Sequence, residues 1–330
     1  MAACRPGGRA GGPVWIERKA DVMGSTLHME LEAVDLPSAV RASEAVFAAL
    51  GAADALLSPT RPDSKVSELN DLPVGASAPI DASLCTTLRE VDGFASEVPG
   101  AFTPVIGALV DAWDLNGDGR VPSVVELEAA RRASGAGGMT LDLQRCEAQR
   151  LAAAAALEPW GFVKGYLLRG ARDSLLANGV HSARLTFGDQ VLVLGPARQG
   201  GPWHVAIGSP EDNQSDVFSL WLASGSASTS SQSSRYVSAA GQTIGHILDP
   251  RTGTPVAGWG SLTVVALDPL RADVLSTALF VLGPDSALAW AGRHEQVGVL
   301  VLDRRDGAVR PRWNEGLRPV LDSSTATPLR

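Results

Sequence analysis

The sequence predicts an α+β fold, and three observations lead to that class. Segments with helical and strand patterns are mixed along the chain, without the regular alternation of a doubly wound sheet. Hydrophobic residues make up 45% of the 330 residues and charged residues only 19%, which is enough apolar material for a sizeable core. Residues 26–33 alternate between apolar and polar side chains, which is the pattern of a strand with one buried face.

The remaining elements follow in chain order. Pro37 opens an alanine-rich helix to about Leu57, because proline is tolerated in the first turn of a helix. A second helix starts at Asp81, whose side chain can cap it, and a third starts at the Ser-Val-Val-Glu capping box of Ser123. Strands are predicted at 140–143, 148–154, 181–186, 190–194, 203–208, 217–223, 261–267 and 297–303, and helices at 164–177, 270–282 and from 284.

Three segments are predicted along the chain. Residues 1–20 are rich in glycine, arginine and proline, which cannot bury a core, so we expect this segment to be disordered. Residues 21–305 are expected to form the folded domain, and residues 306–330 a C-terminal tail that is poorly ordered after Gly316. Within the domain, the serine-dense run 224–234 has no apolar periodicity and is predicted to be a soft stretch.

Charge and cysteine content narrow the functional classes. The net charge of -8 and the pI of about 5.2 exclude a bulk basic surface for nucleic acid, and no uncharged stretch is long enough to insert into a membrane. Cys4, Cys85 and Cys146 have neither zinc spacing nor a disulfide framework, so they are predicted to be isolated thiols in a reducing compartment. Because the N-terminus lacks the pattern of a signal peptide or lipoprotein leader, we expect a cytoplasmic protein.

The most informative polar pair is Asp273 and Thr277. They are four residues apart in a predicted helix, so their side chains share one face. A carboxylate with a hydroxyl suits Mg²⁺, which binds few protein oxygens and completes its shell with phosphate and water. Spacing alone favours the alternative that Asp273 caps the helix and Thr277 lies on the surface.

Two further segments could bind a phosphorylated ligand. His246 precedes the turn Asp-Pro-Arg-Thr-Gly from Asp249, so it is a candidate acid, base or phosphate donor. It could equally end a strand and bind the turn, and Asp249 is expected to brace the loop in either case. Lys164 and Gly165 enter a helix, where glycine permits a close backbone approach and the helix N-terminus attracts phosphate, although this signal is weak alone.

Two polar loops complete the candidates. Asn70, at the end of the turn 58–70, could read a heterocycle edge through its amide, or it could be a structural turn residue. The segment 114–119 resembles the start of a calcium loop, but Val125 occupies the twelfth position where such loops need glutamate. Glu126 is one place late and is explained by the capping box, so calcium is not favoured.

Taken in chain order, the segments from Asp21 to Asp303 resemble the motifs of the ApbE family, the FAD:protein FMN transferases. The matching segments are Met23–Thr26, Ser64–Asn70, Phe102–Trp113, Glu158–Gly165, Gly188–Asp189, His246–Gly253 and Ala272–Gly283. The resemblance implies an α+β, T-fold-like, two-lobed architecture with the flavin site between the lobes. It also implies transfer of FMN from FAD to a Ser/Thr hydroxyl of a target protein, with AMP released.

The resemblance also implies roles for individual residues. Mg²⁺ would bind Asp273, Thr277 and the backbone carbonyl of Val163, with Asp273 and His246 as the catalytic residues and His246 assisting proton transfer. FAD, the substrate, would contact the positions Met23, Asn70, Glu158, Lys164, Gly165, Gly188, Asp189, His246 and Asp249. Phosphoryl transfer depends on positioning and charge neutralisation, which is consistent with this set.

The sequence departs from the family pattern at several positions. Thr229–Gln232 replaces a Thr-Ser-Gly-Asp segment, Arg169 replaces an aspartate, and Phe187 replaces a glycine. These changes affect flavin recognition more than metal binding. Two alternatives therefore stay open, namely an Mg²⁺-dependent FAD pyrophosphatase that gives FMN and AMP, and a non-catalytic flavin-binding module.

Overall fold

The computed structural model describes residues 12–211, 215–233, 235–239, 241–305 and 308–322. The helices are α1 (Leu36–Leu57), α2 (Lys65–Asn70), α3 (Ala82–Ser96), α4 (Gly107–Ala112), α5 (Val124–Arg132), α6 (Val163–Ala177), α7 (Pro269–Leu282) and α8 (Pro284–Ala291). The strands are β1 (Val14–Val22), β2 (Ser25–Ala33), β3 (Ser77–Pro79), β4 (Met139–Asp142), β5 (Glu147–Arg150), β6 (Ser182–Phe187), β7 (Gln190–Leu194), β8 (Trp203–Gly208), β9 (Asp216–Leu222), β10 (Gly225–Ser231), β11 (Tyr236–Ala239), β12 (Gln242–Gly245), β13 (Leu248–Asp249), β14 (Thr254–Pro255), β15 (Gly260–Ala266), β16 (Gly298–Arg305) and β17 (Ala308–Trp313).

One antiparallel sheet of eight strands forms the centre of the described part of the molecule. Its order is β1-β2-β6-β7-β10-β15-β16-β17, and every neighbouring pair is antiparallel. In β2 the apolar residues Leu27, Met29 and Leu31 are buried while their polar neighbours face outward, as the alternation predicts. The α+β class is confirmed.

Helices α1, α6 and α7 cover one face of the sheet. The other face packs against the β8–β9 hairpin, since alternate residues such as Leu192 and Val193 belong to different core clusters. Helix α7 contacts β10, β15, α3 and α6, so nearly all of its side chains are buried. A helix surrounded by protein needs no polar stripe. This explains why the α7 sequence is apolar on all sides except at a few polar positions.

Local end signals in the sequence agree with the helix ends. Asp81 accepts hydrogen bonds from the backbone of Ser83 and Leu84 at the start of α3, and Ser123 and Glu126 form both halves of the capping box of α5. Gly283, with φ +82°, ends α7. The caps are short-range interactions, so they can be recognised without knowledge of the tertiary fold.

Three segments that were predicted to be irregular are ordered. Residues Val14–Val22 form β1, which pairs with β2 along its whole length, while residues 1–11 lie outside the described residues. Residues 225–231 of the serine-dense run form β10 in the middle of the sheet. Residues 308–322 form β17 and a 3₁₀ turn whose Leu317 and Val320 are buried. In each case pairing with a distant strand or core satisfies the backbone, which composition does not reveal.

The prediction of isolated thiols is wrong for two of the three cysteines. Cys85, at the start of α3, forms a disulfide with Cys146 in the turn between β4 and β5. The cysteines are 61 positions apart, so only the packing of α3 on this small sheet brings them together. Disulfides persist mainly in oxidising compartments. The thiol argument for a cytoplasmic location therefore no longer holds. Among the described residues, no helix is both long and apolar enough to cross a membrane.

Candidate functional site

Two clefts meet beside the N-terminal end of α6. The first has about 870 Å³ of empty space, including solvent at its mouth, and the second about 2000 Å³. Both are lined by five residues, which together are called the junction here: Trp160, Lys164, Asp189, Arg235 and His246. The first cleft is largely apolar, with walls that include Phe102, Ile106, Val110, Leu115, Ile247 and Leu248.

Next to the junction, Asp273 lies in the second turn of α7 with 1% of its surface exposed. Its carboxylate accepts hydrogen bonds from the Gly165 backbone N–H at 2.8 Å and from the Ser228 hydroxyl at 3.3 Å. The helix cap is Asp268, whose side chain accepts from Leu270, so the alternative that Asp273 caps the helix is wrong. The two hydrogen bonds fix the orientation of this buried carboxylate, so it can bind a cation only from a limited direction.

Glycine at position 165 makes this contact possible. A Cβ atom there would collide with the carbonyl oxygen of Pro269, and would lie 2.7 Å from Leu270 Cα and 2.8 Å from Asp273 Cβ. Helices α6 and α7 therefore approach more closely at this point than side chains would allow. The backbone N–H of Gly165 can reach the carboxylate because nothing separates the two helices.

The ammonium group of Lys164 lies between two carboxylates. Its Nζ atom is 3.5 Å from Asp189 Oδ1 and 3.5 Å from Asp273 Oδ1. Burial by itself would lower the pKa of Lys164, but the two carboxylates raise it above its ordinary value. Burial raises the pKa of Asp273, and Lys164 opposes this effect. Lys164 therefore keeps its positive charge between these two carboxylates.

Thr277 follows Asp273 by one helical turn and lines the first cleft. Its hydroxyl has no hydrogen-bond partner among the residues that the structure describes. Within the same residues, no three acidic, histidine or cysteine side chains converge as a complete metal cage. Mg²⁺ needs few protein oxygens, however, and the Asp273 carboxylate with the Thr277 hydroxyl fits this requirement. Val163 lines the second cleft beside Lys164.

His246 follows β12 and has a defined tautomer. Its Nδ1 lies 2.8 Å from the backbone carbonyl of Arg235, which can only accept, so Nδ1 carries the hydrogen. Burial lowers the pKa of His246, and the nearby charge of Lys164 lowers it further. A neutral ring with Nδ1 protonated leaves Nε2 as an acceptor. His246 is therefore suited to take a proton at Nε2.

Glu158 lines the first cleft with a carboxyl group whose pKa is raised. Burial raises its pKa to about 7, and the neighbouring Asp111 adds to the effect. Its Oε1 atom is buried without a hydrogen-bond partner in the described structure. Near neutral pH this group can be a donor as well as an acceptor, which suits the edge of a heterocyclic ring.

The other residues predicted to contact FAD do not all line the clefts. Met23 and Gly188 line the second cleft, and Gly188, with φ +59°, forms the tight turn that presents Asp189. Asn70 lines neither cleft, because its amide makes two hydrogen bonds with the backbone of Leu157, next to Glu158. Asp249 binds Arg251 and the loop backbone, so it braces the turn as expected.

The departures from the family pattern have structural roles. Gln232 makes hydrogen bonds to the backbone of Ile247 through both its oxygen and its nitrogen, and so anchors the residue after His246. Arg169 forms ion pairs with Asp268, the cap of α7, and with Glu90 of α3. These side chains stabilise the elements around the junction.

Sequence reasoning missed two groups at this site. Arg235 contributes to both clefts, and the serines of β10 reach α7, since Ser230 donates to Ser276 at 3.0 Å and Ser228 donates to Asp273. An alternation of serine with alanine or threonine in a chain rich in other strands could have indicated a buried polar strand. Nothing local indicated the position of Arg235.

The sequence was compared with family models and with known proteins, and both comparisons find the same family. A model of the ApbE family matches residues 23–301. The chain is 29% identical to an FAD:protein FMN transferase of Klebsiella pneumoniae, over 87% of this chain and 89% of that protein. It is 32% identical to an FAD:protein FMN transferase of Rhodobacter capsulatus over 71% of this chain, and it spans 45% of the length of that relative.

Solved structures show the same architecture. An ApbE protein from Thermotoga maritima is 26% identical, with a TM-score of 0.83, and the match covers 94% of this chain and all of that chain. The flavinyl transferase ApbE of Pseudomonas stutzeri is 28% identical, with a TM-score of 0.81, and the match covers 94% and 97% of the two chains. The likeness therefore extends over nearly the whole chain.

Proposed function

The chain belongs to the ApbE family, and from this membership we propose that it transfers FMN from FAD to a Ser/Thr hydroxyl of a target protein and releases AMP. The observation that supports this most directly is the junction between the two clefts. There the Lys164 ammonium lies 3.5 Å from the buried Asp273 carboxylate, and the His246 ring lines the same two clefts as Lys164. Charge and a proton acceptor thus meet at one point.

The shape of the site suits a dinucleotide. FAD has a ring system at each end and two phosphates in the middle. One cleft on each side of the junction leaves the phosphates next to Lys164 and Thr277. The apolar walls of the first cleft can cover a ring face, while Glu158 offers its free carboxyl oxygen to a ring edge.

The residues divide the chemistry between them. The acceptor oxygen forms a bond to the FMN-side phosphorus, the bond from that phosphorus to the bridging oxygen breaks, and the electron pair leaves with AMP. His246 Nε2 receives the proton of the acceptor hydroxyl. Lys164 offsets negative charge on the phosphates. Asp273, Thr277 and the Val163 carbonyl are the proposed ligands of Mg²⁺, which would neutralise the diphosphate and orient it.

A single assay separates this function from its alternatives. The protein is incubated with FAD, Mg²⁺ and candidate acceptor proteins, and we expect AMP together with an acceptor that carries flavin fluorescence. AMP and FMN without a labelled acceptor would indicate a pyrophosphatase. Bound FAD without AMP would indicate a binding module, and no FAD binding would reject the proposal.

Two variants test the residue assignment in the same assay. Asp273→Asn keeps the shape of the side chain but removes its charge, so Mg²⁺-dependent release of AMP should be lost. Asp285→Asn is the matched control, because Asp285 is 76% exposed and lies in a surface ion-pair group. Equal activity of both variants would exclude Asp273 as a metal ligand.

A further inference from the structure

Arg235 links three parts of the site. Its side-chain Nη2 donates to the Leu115 carbonyl at 3.3 Å and to Asn116 Oδ1 at 3.1 Å, on the far wall of the first cleft. Its own carbonyl accepts the hydrogen bond that sets the tautomer of His246. Arg235 is exposed, and its side-chain hydrogen bonds in the described structure all come from Nη2, so Nε and Nη1 have no protein partner there. The one N–H of Nε and the two of Nη1 therefore remain available as donors at the junction.

The charge of Arg235 acts on both sides of its position. It lowers the pKa of Glu158 in the first cleft and also lowers the pKa of His246 at the junction. The guanidinium therefore lies within electrostatic range of both groups. Its anchors on Leu115 and Asn116 hold it there, and anchoring reduces the side-chain entropy lost when a ligand binds.

The charges around Lys164 favour an additional cation, which the Arg235 guanidinium can supply. Asp189 and Asp273 with Lys164 leave one net negative charge. A diphosphate with two negative charges and one Mg²⁺ cancel each other, so these three side chains still carry one net negative charge when both bind. Arg235 supplies the positive charge that makes the assembly neutral, which matters in a protein of net charge -8.

We propose that Arg235 is a substrate-binding residue whose guanidinium donates to the phosphates of FAD together with Lys164. This inference rests on the proposed function, since it names a further ligand of the same substrate. Arginine suits this role because its planar group presents several donors and keeps its charge. The Leu115–Asn116 contacts direct the guanidinium, and its backbone carbonyl orients His246.

The test measures equilibrium binding of FAD, ADP and riboflavin to the full chain with Mg²⁺ present. Arg235→Gln should weaken FAD and ADP about 10- to 100-fold, which is the usual effect of losing a hydrogen bond between charged groups. Riboflavin has no phosphate, so its affinity should not change. Arg235→Lys should retain most of the affinity for ADP. Arg304→Gln is the matched control, since Arg304 pairs with Glu211 outside both clefts.

The outcomes separate this inference from the proposed function. Loss of riboflavin and ADP affinity by the same factor would mean that Arg235 acts only on the shape of the site, and would overturn the inference. Unchanged FAD and ADP affinity in Arg235→Gln would also overturn it, while FMN transfer by the parent protein would still stand. A parent protein that binds no FAD would overturn both.

Discussion

A methyl group at position 165 tests whether the close approach of α6 and α7 positions the Asp273 carboxylate. In Gly165→Ala, the new Cβ would lie 2.7 Å from Leu270 Cα and 2.8 Å from Asp273 Cβ, and would collide with the Pro269 carbonyl. Two of these three neighbours are backbone atoms that cannot rotate away. The helices must therefore separate, and the hydrogen bond from residue 165 to Asp273 must lengthen.

The magnitude follows from three contributions. Alanine in place of glycine in a helix stabilises by about 1 kcal/mol. Overpacking at a tight contact costs about 1–3 kcal/mol. Loss of a backbone hydrogen bond to a buried carboxylate costs about 1.5–3 kcal/mol. The net expectation is a destabilisation of about 1.5–5 kcal/mol, with a weaker cation site because the carboxylate loses one of its two fixed contacts.

Gly170→Ala is the matched control on the same helix. A Cβ at position 170 meets no atom within 4 Å, so this variant should be stabilised by up to about 1 kcal/mol. Urea denaturation measures stability, and Mn²⁺ titration followed by electron paramagnetic resonance measures cation affinity. If Gly165→Ala is as stable as Gly170→Ala and binds Mn²⁺ equally well, the helix contact does not position Asp273.

Three further predictions concern other parts of the molecule. Ser228→Ala should weaken Mn²⁺ binding about fivefold by removing a donor to Asp273. Ser226→Ala, on the same strand but bonded to Gln190 and Val191, should lower only stability, and equal Mn²⁺ affinities of the two variants would contradict this prediction. Cys85→Ser opens a loop of 61 positions and should cost about 4 kcal/mol in urea denaturation under oxidising conditions, with no difference from the parent once both are reduced. Because burial raises the pKa of Glu158 from 4.5 to about 7, the unliganded protein should lose stability as pH rises through this window. Glu158→Gln should therefore exceed the parent in stability above pH 7 by up to about 3 kcal/mol, and a gain of the same size at pH 4 would contradict the assignment.

The fold could be predicted from sequence where short-range signals decide it. Strand β2 follows from its alternation, and α3, α5 and α7 follow from their caps and the terminal glycine. Strands β1, β10 and β17 could not be predicted in this way. Each is ordered by a neighbouring strand, and β10 buries serine hydroxyls that bond to α7 instead of apolar side chains.

The site shows the same division. The order of the motifs identified the family and singled out Lys164, His246, Asp273 and Thr277, which lie at the junction or directly beside it. The amide of Asn70 is instead occupied by the Leu157 backbone, although its position in the turn had suggested contact with a ring. A residue type shows which hydrogen bonds are possible, but its neighbours decide which of them are made.

The sequence by itself determined the fold class, the helix ends and the family. The first two depend on patterns of residues that are close together in the chain, and the family depends on the order of the motifs. Tertiary structure alone decided the disulfide between Cys85 and Cys146, the burial of Asp273 and the place of Arg235 between the clefts. The physical reason is separation along the chain. One of the two hydrogen bonds that hold the Asp273 carboxylate comes from a residue 108 positions away, and such contacts exist only once the helices have packed.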